Sequence, residues 1–380
     1  MSDKIIPFNK PFIVGKELKY IADVIQSRKF SGNGKYTNLC HNYFEKKIGT
    51  RKALMTTSCT DALEMSAILI DIKEGDEVIV PSYTFVSTAN AFILRGARII
   101  FADSESITPN IDTDRIEMLI TKKTKAIVPV HYAGIACNME IIQDIANRHN
   151  LFVIEDAAQA IDSYYKTKAL GSLGNLGCFS FHDTKNIISG EGGLLAVNDE
   201  KYLKRAEIVW EKGTNRAEYI RGEVNKYNWV DVGSSFLPAE IVSAFLYAQI
   251  EQLEEIQAKR KEIWQTYYNE LKPLEETEKV RLPFIPDYAT NNAHSFFMIC
   301  RNLSERDNLI YYLKSFGIHS AFHYLALHKS PYFSSRYPDK SLPNAEMYSD
   351  RLIRLPLFYE LDKTSIEKII YYINKYYQSL

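Results

Sequence analysis

Short apolar runs alternate with segments of helical period over residues 53–200, and this alternation constrains the fold more than any other feature. The runs have the length and apolar character of strands that are buried on both faces. Strands are predicted at 53–55, 77–81, 98–102, 126–130, 151–155, 177–181 and 193–197, and helices at 60–70, 87–94, 114–121 and 139–149. This order predicts an α/β fold with a mostly parallel central sheet covered by helices.

The second half of the chain has the pattern of a smaller unit. From Pro238 to residue 271 apolar residues recur at helical spacing, and Pro is favoured in the first turn of a helix. One long helix over about 238–271 is therefore predicted to join a large domain at 1–250, with an N-terminal arm, to a small α+β domain at 251–380. Within the small domain, the pattern predicts a strand in 293–300 and helices at 305–316 and 365–377.

The charge balance argues against several kinds of partner. The 380 residues carry 46 basic and 47 acidic side chains, whereas a nucleic acid or an anionic membrane would need a large basic excess. The first residues interrupt their apolar stretches with Lys and Pro, and no apolar run reaches about 18 residues. We therefore expect no signal peptide, no membrane span and a cytoplasmic location.

The cysteines indicate neither disulfides nor a metal site. They are scattered, with no CxxC pair and no Cys/His cluster at the spacing of metal ligands. We expect reduced, mostly buried thiols and no metal at the five positions Cys40, Cys59, Cys137, Cys178 and Cys300.

A first candidate site motif is Ser58-Cys59-Thr60, which follows a predicted strand and begins a helix. The free amides and the positive end of a helix can bind a phosphate, and the Ser and Thr hydroxyls add donors. The motif is also compatible with a capped helix that has no ligand.

A second candidate is Asp156, at the carboxyl end of a predicted apolar strand, where open α/β sheets bind their ligands. A carboxylate there can hold a protonated ring nitrogen and so keep a pyridinium ring electron-withdrawing. An Asp at a strand end also serves often as a helix cap, so the residue alone leaves both roles open.

A third candidate is Lys185, which lies in a polar loop between a predicted strand and the glycine-rich segment 189–193. Forming an imine at neutral pH requires a lysine whose pKa lies below the usual value of roughly 10.4. A loop next to a buried strand can supply that environment, although most loop lysines are simply solvated.

Phe85 lies at another strand end of the same sheet, where an aromatic ring can stack on a flat cofactor or can simply pack. The combination is more informative than any single residue. A phosphate-binding turn, a stacking ring, a carboxylate and a lysine at strand ends of one sheet supply the contacts that pyridoxal 5'-phosphate (PLP) needs.

At this point the sequence resembles the nucleotide-sugar aminotransferases, which are PLP enzymes of fold type I, the aspartate-aminotransferase-like fold. The resemblance covers nearly the whole chain and includes residues 81–85 (PSYTF), 129–134 (PVHYAG), 155–159 (EDAAQ), 190–193 (GEGG) and 323–324 (HY). Within the family it is most similar to the enzymes that form dTDP-4-amino-4,6-dideoxygalactose, through residues 57–60 (TSCT), 211–216 (EKGTNR) and 231–235 (DVGSS).

The resemblance implies a role for each cofactor contact. Lys185 would carry PLP covalently and move the proton, and Asp156 would pair with the ring nitrogen. The remaining implied contacts are Phe85 stacked on the ring, Gln159 beside the ring hydroxyl, and Ser180 with the Cys59 and Thr60 amides on the phosphate.

The resemblance also implies the substrates and the assembly. L-glutamate would leave its amine on the cofactor, and that amine would pass to the C4 ketone of a dTDP-linked 6-deoxy sugar. A homodimer would share its active sites. His323 and Tyr324 are candidates for lining the sugar site, and a packed or hydrogen-bonded role is the alternative that stays open for both. Ser235 stands where the family has an Asn that reaches the neighbouring subunit's phosphate, and Arg216 is the candidate for holding the donor carboxylate, because Leu237 replaces the usual arginine.

Other functions fit the sequence less well. Related dehydratases replace the imine lysine with histidine, which Lys185 argues against, and a non-catalytic PLP-fold sensor should have lost one of the main contacts. A dinucleotide oxidoreductase would need a GxGxxG turn after the first strand. Amination at C3, or an equatorial amine at C4 (the gluco configuration), stays open, because such choices depend on single contacts in the pocket.

Overall fold

The computed structural model describes residues 5–335 and 341–379. The strands in this part of the chain are β1 (Lys52–Thr56), β2 (Glu77–Pro81), β3 (Arg98–Ala102), β4 (Thr124–Ile127), β5 (Phe152–Asp156), β6 (Tyr164–Tyr165), β7 (Lys168–Ala169), β8 (Leu176–Ser180), β9 (Gly193–Val197), β10 (Phe296–Ile299), β11 (Ala321–Phe322) and β12 (Leu352–Leu355). Each strand predicted between residues 53 and 197 is confirmed to within a few residues at its ends.

The α-helices in the described residues cover both faces of the large sheet and pack around the small one. They are α1 (Glu17–Ser27), α2 (Lys35–Ile48), α3 (Cys59–Leu69), α4 (Val86–Ile93), α5 (Met139–His149), α6 (Leu203–Trp210), α7 (Arg216–Ile220), α8 (Glu240–Ile250), α9 (Leu253–Glu276), α10 (Leu303–Ser315), α11 (Pro331–Ser334), α12 (Pro343–Arg351) and α13 (Lys363–Gln378). Side-chain caps fix several of these starts, as where Asn138 accepts from the Ile141 amide to begin α5.

The central sheet has seven strands in the order β1-β9-β8-β5-β4-β2-β3. The pairs from β8 to β3 are all parallel, whereas β9 runs antiparallel to both of its neighbours, β8 and β1. Two antiparallel pairings in succession leave β1 parallel to β8. The prediction of a mostly parallel sheet is confirmed, and the carboxyl ends of β1, β2, β5 and β8 meet at one edge.

The antiparallel step from β8 to β9 shapes the loop that carries Lys185. A short connection can join antiparallel strands, whereas parallel strands need a long crossover. Backbone hydrogen bonds from Phe181 to Gly192 (2.8 Å) and from Asp183 to Gly190 (3.0 Å) close this loop across its width. The lysine therefore projects from a braced hairpin loop.

Alternation of side chains along the strands divides the core of the large unit into two layers. Leu54 faces one layer, together with residues of α3, α4 and α6. Its neighbours Ala53 and Met55 face the other layer, with residues of α2, α5 and α8. This period of two is what a sheet covered on both faces requires.

A second, smaller core lies in the C-terminal part of the chain. Strands β10, β12 and β11 form an antiparallel sheet in that order. Apolar residues of α9, α10 and α13, among them Tyr267, Leu313 and Ile369, pack on it. The strand predicted within 293–300 and the helices predicted at 305–316 and 365–377 are present there.

The single long helix predicted at 238–271 is wrong. The chain forms α8 and α9, and Gln252 between them leaves the helical region, with φ −114° and ψ 11°. Leu246 and Leu253 bury against the same layer of core on either side of the break, so the apolar spacing continues across it and could not reveal it. The domain boundary at 250/251 stays a prediction.

The helix predicted at 114–121 is also wrong. Two 3-10 turns, Thr113–Arg115 and Glu117–Leu119, take its place. Asp112 caps the first turn, and the chain is already extended at Ile120.

Two further features of the described residues are the state of the cysteines and the apolar character of the helices. All five cysteines are free, and four of them are buried, with Cys59 partly exposed. Within residues 5–335 and 341–379, none of the helices combines the length and the apolar character needed to cross a bilayer.

Candidate active site

The candidate active site is a cavity of about 690 Å³ where the carboxyl ends of β1, β2, β5 and β8 meet. This volume falls in the range of small-molecule sites. The sequence-predicted residues that line it are Cys59, Thr60, Phe85, Asp156, Gln159, Ser180, Lys185, His323 and Tyr324. The sheet thus brings together residues that lie far apart in the chain.

The turn from β1 into α3 forms one end of the cavity. The Ser58 hydroxyl accepts from the Asp61 amide (3.1 Å) and caps the helix. The amides of Cys59 and Thr60 belong to the first turn, where a helix leaves its N–H groups without internal partners. Gly193 of β9 packs directly on this turn, because a Cβ at that position would lie 2.3 Å from the Ser58 carbonyl carbon.

Asp156 ends β5 and is held rigidly. One carboxylate oxygen accepts from the Thr88 hydroxyl at 2.7 Å, and the other accepts from the Ala158 amide at 3.1 Å. Burial raises the pKa of this carboxyl, while the hydrogen bonds from Thr88 and Ala158 and the nearby Lys185 charge oppose the rise. The result is a fixed carboxylate for which a cationic partner would relieve the cost of burial.

Lys185 is partly buried, and burial lowers the pKa of its amine below the usual value. The neighbouring Cys59 and Asp156 oppose that shift, whereas the positive charge of Arg354 adds to it. A lowered pKa increases the fraction of neutral amine at physiological pH, which is the nucleophilic form. The environment of Lys185 thus favours the neutral amine, which is the form that imine formation requires.

A group of aromatic and amide side chains closes the cavity. Phe85 precedes α4 and is about half exposed, with its ring centroid 6.2 Å from that of Tyr324. The Tyr324 hydroxyl accepts from the Gln159 side chain (3.0 Å), whose carbonyl accepts from the Ala133 amide (2.7 Å). These bonds fix the relative positions of the C-terminal and large units at the cavity.

His323 lies beside this group. Its Nδ1 is 2.9 Å from the Tyr132 hydroxyl, and its backbone carbonyl accepts from the Tyr83 hydroxyl. Burial lowers the pKa of His323 well below its usual value, and the charges of Arg354 and Lys185 lower it further. The lowered pKa favours the neutral imidazole, in which one ring nitrogen donates a hydrogen bond and the other accepts one.

Two predicted site residues lie elsewhere. Ser235 is exposed and forms an isolated β-bridge with Glu211, and Arg216 begins α7 with its guanidinium 3.6 Å from the same glutamate. Neither lines the cavity of its own chain. Both lie within residues 211–235, and Ser235 stands at the position where the resemblance implies a contact with the neighbouring subunit's phosphate.

Sequence reasoning missed several residues of the site. Thr88 orients Asp156, Ser87 accepts from the Thr60 hydroxyl at 2.8 Å, and Phe8 and Arg354 form part of the wall. Ser87 and Thr88 could have been suspected from their position in the first turn of a helix that follows a strand end. Phe8 and Arg354 carry no such signal.

The side chains of the cavity fit PLP. A helix N-terminus can take a dianionic phosphate, a fixed carboxylate suits a ring nitrogen, and an amine of lowered pKa suits an aldehyde. Phe85 adds an aromatic ring to the lining of the same cavity. The fold and the site together define a PLP-dependent transferase of fold type I.

The family follows from the sequence match. The chain belongs to the DegT/DnrJ/EryC1/StrS aminotransferase family, whose family model matches residues 11–374. The protein is accordingly a PLP-dependent sugar aminotransferase.

Solved aminotransferases resemble the chain over nearly its full length. TlmJ from Streptoalloteichus hindustanus is 26% identical with a TM-score of 0.91, over 99% of this chain and 100% of that one. An aminotransferase from Psychrobacter cryohalolentis is 25% identical with a TM-score of 0.92, over 99% of each chain. DesV from S. venezuelae, solved in complex with a ketimine intermediate, is 26% identical with a TM-score of 0.90, over 98% of each chain.

Proposed function

We propose that the enzyme moves the amino group of L-glutamate to the C4 ketone of dTDP-4-keto-6-deoxy-D-glucose. The products are dTDP-4-amino-4,6-dideoxy-D-galactose and 2-oxoglutarate. The proposed amino transfer is supported by three groups that line one cavity: a lysine of lowered pKa, a buried carboxylate and a helix N-terminus. The choice of sugar rests on the motifs at 57–60, 211–216 and 231–235.

In this proposal the large unit supplies most of the contacts to PLP. The Cys59 and Thr60 amides and the Ser180 hydroxyl bind the phosphate, and Asp156 pairs with the ring nitrogen. Phe85 covers one ring face. PLP supplies a protonated aromatic ring that withdraws electrons from the carbon losing its proton.

Two further side chains complete the proposed cofactor site. Gln159 lies beside the ring hydroxyl, where its bonds to Ala133 and Tyr324 keep it oriented. Lys185 holds the cofactor covalently at rest. Once the donor amine had displaced it, Lys185 would take the proton from the donor α-carbon and return it at C4′ of the cofactor, which a neutral amine can do.

The sugar is proposed to bind against His323 and Tyr324. Both side chains line the cavity beside Lys185, and both present groups that can hydrogen-bond a hydroxyl or a ketone. The lowered pKa of His323 favours its neutral form, which can bind a sugar without adding a further cation to the site. A dTDP-linked substrate would extend from these residues toward the opening of the cavity.

We further propose a homodimer with shared active sites. Within the segment 211–235, several large apolar side chains are exposed, and Trp229 is the most prominent, with 82% of its surface accessible. Exposed apolar groups clustered on one segment are typical of interaction surfaces. This segment would cover the partner's cavity and carry Ser235 toward its phosphate and Arg216 toward its substrate.

The proposed reaction is cytoplasmic and serves the synthesis of a lipopolysaccharide or another surface polysaccharide. The free cysteines support the cytoplasmic location, because reducing compartments preserve thiols.

Absorbance spectroscopy tests the first half of the reaction. Purified protein loaded with PLP should show the visible band of lysine-bound cofactor, and L-glutamate should convert it to the near-ultraviolet band of pyridoxamine phosphate. L-glutamine, which differs in the side-chain charge, serves as the matched donor. A visible band that persists with glutamate would refute the proposed donor.

Product analysis tests the second half. The pyridoxamine-phosphate form is mixed with dTDP-4-keto-6-deoxy-D-glucose, and NMR coupling constants of the product distinguish an axial amine at C4 from an equatorial one. An equatorial amine, an amine at C3, or turnover only with a UDP-linked ketone would each replace the proposed product.

Light scattering tests the dimer. The wild type should have the mass of a dimer, and Trp229→Asp should shift it toward a monomer that has lost activity. A monomeric and fully active wild type would refute the shared site.

A further inference from the structure

Arg354 places a positive charge in the wall of the cavity, and neither the proposed cofactor contacts nor the proposed sugar contacts include it. It lies on β12 of the small sheet, opposite Phe297 of β10 and Ala321 of β11. Its guanidinium carbon lies 4.6 Å from the ring centroid of Phe8, and both residues line the cavity. Two elements remote from the cofactor motifs therefore place a fixed positive charge next to the reacting centre.

The guanidinium of Arg354 has no anionic partner within residues 5–335 and 341–379. Its Nε is buried and forms no hydrogen bond there. By contrast, Arg205 contacts Asp231 at 2.7 Å and Arg301 contacts Glu305 at 2.6 Å. An unpaired buried donor on a charged group costs free energy, so its persistence in a binding cavity points to a ligand that pairs with it.

The other charges of the cavity leave this cation uncompensated. The carboxylate of Asp156 is occupied by Thr88 and Ala158, and Glu191 is largely exposed, 3.8 Å from His182. The charge of Arg354 lowers the pKa of Lys185 and contributes to the low pKa of His323. Its field thus reaches the lysine at which the proton is transferred.

We propose that Arg354 binds the α-carboxylate of the amino donor. A guanidinium offers parallel donors that match the two oxygens of a carboxylate. The α-carboxylate is attached to the carbon that loses its proton to Lys185, so its binding group must be near that lysine. The diphosphate of a sugar nucleotide carries its charge across the sugar ring from the reacting C4, and it suits a group at the opening of the cavity better.

This inference rests on the proposed amino-acid donor and revises one sequence expectation. Arg216 was the candidate for the donor carboxylate, but in its own chain it lies outside the cavity with its guanidinium toward Glu211. Arg354 performs that task from within the same chain. An active site that borrows Ser235 from a partner would still hold its donor through its own residues.

The kinetic test uses Arg354→Gln. The apparent Kd for L-glutamate, taken from the concentration dependence of the loss of the visible band, should rise about 10- to 100-fold, as expected when charged hydrogen bonds are lost. The limiting rate should change less, and Arg354→Lys should recover part of the affinity. Arg351→Gln, with the same charge change on an exposed residue outside the cavity, should match the wild type.

A binding test separates this inference from the proposed donor. Calorimetry measures glutarate, a dicarboxylate that cannot react, on the cofactor-free protein, and its affinity should fall at least about 10-fold in Arg354→Gln. Unchanged glutarate and glutamate affinities would overturn the inference. If the wild type does not react with glutamate, the proposed donor is wrong, and glutarate binding alone decides the role of Arg354.

A third measurement addresses the competing anion. The pyridoxamine-phosphate form of Arg354→Gln is titrated with the keto-sugar nucleotide, whose KM should stay within about threefold of the wild type. A large rise in this KM, with the glutamate affinity unchanged, would mean that the guanidinium binds the diphosphate and would refute the inference.

Discussion

The two ends of the cavity are built in different ways. The cofactor end comes from strand ends of one sheet, and its groups are fixed by short local contacts such as the Thr88 bond to Asp156. The substrate end is assembled from three separate parts: the arm at Phe8, the pair His323 and Tyr324, and Arg354 on the small sheet. The difference shows how one cofactor chemistry can be kept while the substrate wall changes, since the two walls come from different elements of the chain.

Lys185→Ala should cause the largest loss, because both ends depend on this amine. The visible PLP band should disappear, and transamination should fall by at least about 10³-fold, since covalent capture and proton transfer are both removed. Steady-state kinetics and absorbance give the measurement, with Lys168→Ala as an exposed-lysine control. Substantial turnover without Lys185 would place the chemistry elsewhere in the cavity.

Asp156→Asn should lower the rate about 10²- to 10³-fold while PLP stays bound, because the ring nitrogen loses its anionic partner. The cofactor-free variant should melt at a higher temperature than the wild type at pH 7. Burial raises the folded pKa of this carboxyl, so the charged form destabilises the fold above that pKa, and the amide removes this cost. The difference should vanish as the pH falls below about 4. A variant that is both less active and less stable at pH 7 would contradict this reasoning.

Gly193→Ala should affect the cofactor end alone. The added Cβ would lie 2.3 to 2.4 Å from backbone atoms of Ser58 and Cys59, and the displaced turn should weaken PLP binding about 10- to 100-fold. Ala196→Gly alters the same strand without crowding the turn and should leave the PLP affinity unchanged. Fluorescence titration measures the PLP affinity of both variants and of the wild type. Equal affinities in all three proteins would mean that the contact from β9 does not affect phosphate binding.

Tyr324→Phe should give the smallest effect and confine it to the substrate end. The change removes the hydroxyl that accepts from Gln159, and the sugar KM should rise about 3- to 10-fold. The PLP affinity should not change, because Gln159 keeps its bond to Ala133. A loss of PLP affinity as large as that of Gly193→Ala would mean that the two ends are coupled through Gln159.

The difference between the cofactor end and the substrate end of the cavity also explains which site residues could be predicted from sequence. Asp156 lies where an apolar strand ends, and Lys185 lies in the loop that follows another. Parallel topology carries both strand ends to one edge, so their meeting follows from local pattern. Arg354 lies within a strand of the small sheet, and only tertiary packing turns it toward the cavity. The helix break at Gln252 could not be predicted for a related reason. The buried apolar face continues across it, whereas the helical conformation of the backbone does not.

The order in which the sheet is completed sets when the cofactor can bind. Strand β1, which leads into the phosphate-binding turn, joins the central sheet only through β9. Strand β9 comes from a much later part of the chain, and pairings between distant segments form slowly. During synthesis or refolding, the turn therefore acquires its native support only after Val197 is in place. PLP bound at this turn would then stabilise a sheet whose strands are already paired, and its uptake should report a late folding step.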